Sequence, residues 1–329
     1  MTGKAKLPGV LTLAILLTLT ITSQAQDGIG SMDGEGIDSQ ILWPTPGPSN
    51  FPTILSSDIV GHTGVTFSAL FGYYRKPLGI ENTDEDNTDW VVKNAFAADF
   101  LWAFGIIDYF QIGLALPVVL DQDGVGATPF KPLGAEDADY SLASSALRDI
   151  RFNAKARLLG GKAEMPDRRD FGLAIDLGLA VPTGDEINFA GDEGVVFFPT
   201  AVVDFHRCKF SAALNLGARI RSDKSDKLAD LSVGHQGTVG LGVTGHLFQR
   251  KLLLSLEGLG LVEFDGFDRL GLEYRGGVGY IPDDARSVTL WVAGGSSTGT
   301  GDLLGTPLLR VLVGITYSPG ADDETLDAL

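Results

Sequence analysis

The sequence predicts an all-β chain: a transmembrane, antiparallel, up-and-down β-barrel of about twelve strands. Three observations carry that expectation. Apolar and small residues alternate with period two from residue 59 almost to the C-terminus. Helical periodicity is nearly absent. Long and short connections alternate along the chain.

The alternation is clearest in FAADFLWAFGIIDYFQIGLALP, residues 96–117. Phe96, Ala98, Phe100, Trp102 and Phe104 share one strand face. After a break at residues 105–108, Phe110, Ile112, Leu114 and Leu116 do the same. The pattern recurs at 65–73, 150–158, 171–181, 210–220, 239–243, 270–280 and 309–317, with weaker runs at 194–206, 252–262 and 287–294. In a soluble barrel or sandwich, the face opposite the apolar one meets water and carries Lys, Glu, Thr and Gln. Here it carries mostly Gly, Ala, Ser and Asn with isolated charges. Small residues suit the crowded concave interior of a barrel, so the apolar face is expected against lipid. A backbone in lipid has to close its hydrogen bonds internally, which an even-stranded closed barrel does.

Connections fall near 75–89, 105–108, 121–146, 160–170, 182–194, 206–209, 222–230, 247–251, 263–269, 282–286 and 295–306. The odd ones are mostly long, polar and rich in Gly and Asp; the even ones are mostly short, with 160–170 the exception. Outer-membrane barrels have this asymmetry, with short periplasmic turns and long extracellular loops. Tyr73, Tyr74, Trp90, Trp102, Tyr109, Phe110, Tyr280, Trp291 and Tyr317 fall near expected strand ends, as an interfacial girdle does. Tyr317 ends the last alternating run, Val311, Val313, Ile315, Tyr317, and is the expected C-terminal aromatic assembly signal.

Residues 1–25 are expected to be a cleaved signal peptide: Lys4 and Lys6 precede an apolar run of about 15 residues, and Ser23-Gln24-Ala25 offers small cleavage positions. Without Lys4 and Lys6 the net charge moves from −17 to −19, from 23 basic and 42 acidic residues. That charge argues against nucleic acid as a partner. Mean hydropathy is +0.14 despite 20% charged residues. The single cysteine, Cys208, excludes an internal disulfide, and no cysteine lies at the cleavage site to carry a lipid anchor. Residues 26–57, rich in Gly, Pro, Ser and Asp, are expected to form an irregular lead able to enter the lumen as a plug through Trp43 and Phe51. Residues 58–318 are assigned to the barrel and 319–329 to an acidic tail.

The polar residues on the inward face are the lumen and constriction candidates: Asp99, Arg151, Lys155, Arg157, Asp176, Asp204, Asn215, Arg219, Glu257, Glu273, Arg275 and Arg310. Opposed charges there either set a transverse field that selects small polar solutes or pair to brace a closed wall. Arg151, Lys155 and Arg157 form a basic ladder on one strand, with Asp176 as the expected cross-strand partner.

GIDSQILWPTPGPSNF (residues 36–51), followed by Gly61-His62 and Lys76-Pro77-Leu78, resembles the N-terminal barrel of OmpA-family outer-membrane proteins of the large-barrel type. The Val181-Pro182-Thr183-Gly184 corner is similar to barrels of that broad kind and to outer-membrane barrels associated with phenol-degradation pathways. The resemblance covers most of the mature chain and implies a Gram-negative outer-membrane location. Partners implied are membrane lipid and lipopolysaccharide and the outer-membrane assembly machinery. OmpA-family chains usually continue into a peptidoglycan-binding domain, whose residues are missing here, so that function does not transfer.

No enzyme is expected. None of His62, His206, His235 and His246 sits in a His-x-Ser element. Asp121–Gly124 and Asp265–Asp268 read as acidic turns, not complete EF-hand loops. Residues 182–186 and 294–301 read as turns with no P-loop Lys-Ser/Thr. Cys208 has no metal or redox partner near it in sequence. No metal or cofactor is expected. The expected function is a passive channel for small polar solutes, with an OmpA-like closed barrel serving structure and surface interaction as the alternative and a membrane hydrolase as a distant third.

Overall fold

The computed structural model describes residues 37–82, 87–126, 128, 141–160, 170–207, 209–222, 225–228, 231–264, 270–283, 286–300 and 305–318. The expected signal peptide, the acidic tail, Cys208 and the Asp265–Asp268 turn lie outside them. The strands are β1 (Val65–Asn82), β2 (Asn87–Ile107), β3 (Phe110–Asp123), β4 (Ala146–Leu147), β5 (Ile150–Leu159), β6 (Asp170–Val181), β7 (Val196–Arg207), β8 (Phe210–Arg221), β9 (Ser225–Leu228), β10 (Leu231–Val233), β11 (Gln236–Leu247), β12 (Leu252–Glu263), β13 (Leu270–Tyr280), β14 (Val288–Thr300) and β15 (Leu309–Tyr317). One 3-10 turn covers Glu186–Asn188.

Each long strand pairs antiparallel with its neighbours, and β1 pairs with β15, so the sheet closes into a barrel of twelve strands. β4 is a two-residue addition beside β3, and β9 and β10 form a separate hairpin. Tyr317 ends the closing strand, opposite Phe67 on β1 and Val288 on β14.

The alternation sorts side chains by chemistry. Outward positions carry exposed apolar groups: Leu254 and Leu256 on β12, Val239, Leu241 and Val243 on β11, Val311, Val313 and Ile315 on β15. The intervening inward positions bury Ser255, Glu257, Thr244, Arg310 and Leu312. A water-soluble barrel would reverse this, because apolar surface gains by leaving water. An apolar outer band around a polar interior is the surface of a barrel that spans a membrane.

Several expectations are corrected. β1 and β2 extend to Asn82 and Asn87, so the connection placed at 75–89 shrinks to 83–86. The stretch 294–301 is strand through Thr300, not a turn: Gly294 and Gly295 lie in the ladder opposite Val311 and Arg310. Pairing on both sides supplies the order that local glycine content argues against. The 222–230 connection lengthens to 222–235 and carries the β9–β10 hairpin. Asp121 and Asp123 belong to β3. Tyr74 and Trp291 leave the expected girdle: both face inward, and Tyr74 lies against Arg310 at 4.3 Å.

If the outer face meets lipid, Leu256→Arg, at a site 71% exposed near the middle of β12, is expected to destabilise the folded barrel by about 2–4 kcal/mol in bilayer unfolding titrations. Unchanged stability would mean that this face does not lie in hydrocarbon.

Candidate functional site

The inner wall and the segment before β1 form one polar unit. Residues 37–64 have no strand or helix. They enter among the long connections, where Ser39 N–H donates to Phe189 O at 2.9 Å and Ile41 N–H to Gly305 O at 3.4 Å. The chain descends to β3, whose Gln111 Nε2 donates to Pro46 O at 3.2 Å. It turns back at 47–54 and descends again, and Val60 N–H donates to Gln111 Oε1 at 2.9 Å. Proline and glycine at 44–52 suit this path: Gly47 has φ of +123°, a backbone region that L side chains rarely enter.

Near the long connections, Asp38 receives Arg148 through Nη2 at 2.7 Å and Nε at 3.3 Å, the two-pronged geometry guanidinium groups favour. The Trp43 indole N–H donates to the same carboxylate at 3.1 Å. Its ring lies edge-on to Phe198 at 5.3 Å and 4.0 Å under the Arg219 guanidinium, which donates to Ile41 O at 2.5 Å. Arg151 pairs with Asp99 at 2.6 Å.

Midway down the wall, Glu257 accepts from Thr53 N–H at 2.9 Å, Thr53 Oγ1 at 2.7 Å and Ile54 N–H at 3.1 Å. Arg275 joins Glu257 at 3.3 Å to Glu273 at 2.7 Å, and Glu273 meets Arg310 at 2.5 Å. Phe51 and Ile54 pack over Gly242 and Gly240. A Cβ at either glycine would stand 2.8 Å and 3.0 Å from them, so these inward glycines make the room. Asn215 accepts from Leu55 N–H at 2.9 Å and donates to Leu55 O at 3.0 Å.

At the short-turn end, Lys155 donates to Ser56 O at 3.1 Å. Asp204 accepts from Ser57 N–H at 2.5 Å and from its hydroxyl at 2.9 Å. His206 Nε2 lies 3.1 Å from Asp204, its Nδ1 is 3.1 Å from Ser211 Oγ, and that hydroxyl is 2.9 Å from His246 Nε2. One pocket between segment and wall, bounded by residues that include Ser68, Leu101, Lys155 and Thr316, has a volume of about 50 Å³. That holds no more than a few waters.

Of the twelve lumen candidates, Asp99, Arg151, Lys155, Asp176, Asp204, Asn215, Arg219, Glu257, Glu273, Arg275 and Arg310 are buried inside the barrel. Arg157 separates from the expected ladder: it is half-buried and donates to Asp108 O at 2.8 Å in the β2–β3 turn. Asp176 stands opposite Lys155 in register, and its carboxylate accepts from Asn153 at 2.7 Å. Sequence reading missed Asp38, Gln111, Arg148 and His206 as lumen residues. Inward parity on β3 and β7 could have flagged Gln111 and His206. Asp38 and Arg148 sit in segments with no periodicity to place them. It also passed over Gly295–Gly299, which has the letters Gly-x-Ser-x-Gly. That stretch lies in the β14 ladder, and Ser297 Oγ donates to Pro307 O at 2.6 Å, so the strand-to-helix turn that exposes a nucleophile is missing there. Among the described residues, no group of three or more His, Cys, Asp or Glu is placed to hold a metal ion.

Outside the strands, Asp149 ties the connections together by accepting from Thr183 N–H at 3.1 Å, Gly184 N–H at 2.9 Å and Asp192 N–H at 2.8 Å. Burial pushes its carboxyl up to about 6, against the lowering pull of the bonds from Asp192 and Gly184. The folded state then holds this proton more tightly than the unfolded chain, so the contribution to stability is largest below the ordinary aspartate value and is lost as pH rises through about 6. Amide exchange at Gly184 and Asp192, corrected for intrinsic rate, is expected to lose protection between about pH 4 and pH 6.5 in the wild-type chain. A flat profile would show that Asp149 does not change its protonation over this range.

Glu257→Ala removes the acceptor for Thr53 and Ile54 and one of two carboxylate partners of Arg275. The expected cost is about 3 kcal/mol, the low end for breaking a buried pair, because Arg275 keeps Glu273. Limited proteolysis is expected to cut within residues 49–57 while the barrel keeps its heat-modifiable gel mobility. Full protection of that stretch would show that Glu257 does not hold it.

No protein-family model matches the chain, and no curated protein sequence matches it. Among solved structures it is similar to an outer membrane channel from Pseudomonas putida F1, with 11% identity, 80% of this chain and 97% of that one covered, and a TM-score of 0.57. The NanC porin, at 7% identity with 76% and 98% covered, has a TM-score of 0.49. The KdgM porin, at 9% identity with 78% and 99% covered, has a TM-score of 0.45. At 11% identity the likeness to the Pseudomonas putida channel is one of fold: the chain has the closed-barrel architecture found in outer-membrane proteins.

Proposed function

We propose that this protein is a non-catalytic outer-membrane barrel of a Gram-negative cell, a passive channel for small polar solutes whose lumen residues 37–60 fill in the conformation described. One observation carries this reading: much of the polar wall is bonded to a single irregular segment. Asp204, Asn215, Arg219 and Glu257 all spend hydrogen bonds on it. With the segment displaced, those groups would line a wetted, charged passage. Twelve strands lie between the eight of side-chain-filled barrels and the sixteen of open porins, a size suited to a narrow pore. On this reading the chain is exported by a cleaved signal peptide and assembled by the outer-membrane machinery through Tyr317. The OmpA-like reading, a closed brace in lipid and lipopolysaccharide, draws support from the wall-to-wall chain Glu257–Arg275–Glu273–Arg310.

Planar-bilayer recording distinguishes the two. Residues 26–329 are expected to give rare or no openings, and residues 61–329 stable current steps. Arg151→Gln and Lys155→Gln in the shortened chain are expected to change conductance measurably. Inserted, protease-resistant protein that stays silent in both forms would overturn the channel in favour of the closed brace.

A further inference from the structure

The contacts at Thr53–Ser57 have an unusual address. Five consecutive residues are held through their backbone by four wall side chains from four strands. Glu257 of β12 accepts from the N–H groups of Thr53 and Ile54. Asn215 of β8 takes both the N–H and the C=O of Leu55. Lys155 of β5 takes the C=O of Ser56, and Asp204 of β7 the N–H of Ser57. The Asn215 pair copies what a neighbouring strand offers an extended residue, an N–H acceptor and a C=O donor together.

The amide groups addressed here are common to every residue except proline at its nitrogen. Within this run, only the Thr53 and Ser57 hydroxyls add side-chain bonds to the wall. The Ile54 side chain meets Phe51, Ala213 and the bare backbone at Gly240, an apolar pocket without a hydrogen-bond requirement. The four wall groups are themselves buried, so they are preset in a low-dielectric interior where an amide partner counts for more than in water.

We propose that this cradle is a peptide-backbone binding site: with the protein's own segment displaced, the lumen takes extended polypeptide segments of varied sequence as ligands. The proposal rests on the channel reading for access to the lumen, and it names a substrate class that reading leaves open. The chain's own residues 53–57 are then the resident occupant of a site whose chemistry recognises amides.

The test uses the barrel of residues 61–329 in detergent micelles and fluorescently labelled peptides, read by anisotropy, which does not depend on conductance. The probes are the peptide of residues 49–60, a scrambled peptide of the same composition, and the 49–60 peptide N-methylated at the amides of Leu55 and Ser57. The first two are expected to bind within about tenfold of each other. The methylated peptide, and the first peptide on N215A barrels, are expected to bind at least about tenfold more weakly. Binding of the native peptide alone would overturn the proposal and leave a sequence-specific plug. Equal binding of the methylated peptide would overturn it too. Binding without current in the bilayer would sink the channel reading and leave the site standing; current without binding would do the reverse. If the shortened barrel does not fold, the full-length chain carrying Leu55→Pro and Ser57→Pro, which removes two of the amide donors by which the resident segment holds the site, replaces it, with the same outcomes expected.

Discussion

A closed barrel leaves its inward polar side chains in a place where little water can reach them, and every buried donor or acceptor left unbonded is costly. The structure meets that constraint with residues 37–60. Glu257, Asn215, Asp204, Lys155 and Gln111 bond to backbone atoms of this segment, and Arg148 to its Asp38 carboxylate. The dependence is mutual, because an irregular segment cannot bond its own backbone as a helix or ladder does. The wall supplies those partners, and Gly240 and Gly242 supply the space for Ile54 and Phe51.

The outer face follows the opposite logic. Leu241, Val243, Leu254, Leu256 and Val313 stand exposed, while Thr244, Ser255, Glu257 and Leu312 on the same strands are buried inside. A strand can serve both solvents because its side chains point alternately to the two faces. The backbone between them is closed by the ladder, including the β1–β15 pairing that removes the last free edges. Lipid outside and a bonded interior therefore place separate demands on the two faces of each strand.

The interior also divides by kind of bond. Arg151–Asp99 and the Glu257–Arg275–Glu273–Arg310 chain pair wall with wall, and Glu257, Arg275 and Arg310 also bond to Thr53, Ile54 and Gln40 of the segment. Asn215, Lys155 and the Asp204–Ser57 contact address the segment. The first set braces the barrel. The second becomes available when the segment moves, and that difference gives the channel and peptide readings their physical basis.

The sequence alone determined most of the barrel strands, their two faces and many of the inward charges, because period-two alternation is local and one misplaced residue would flip a whole strand. It placed Glu257, Glu273, Arg275 and Arg310 on inward faces for that reason. Where pattern was weak, local signals misled: Gly294 and Gly295 read as a turn but belong to a ladder, and Tyr74 and Trp291 read as a girdle but face inward. Residues 37–60 have no period, so nothing local says which wall group meets which amide. Only the tertiary structure decided that Asp38 reaches Arg148, that Glu257 holds Thr53 and Ile54, and that Arg157 stands apart at a turn. Those contacts join residues more than a hundred positions apart in several cases, and they exist only once the sheet has closed around the segment.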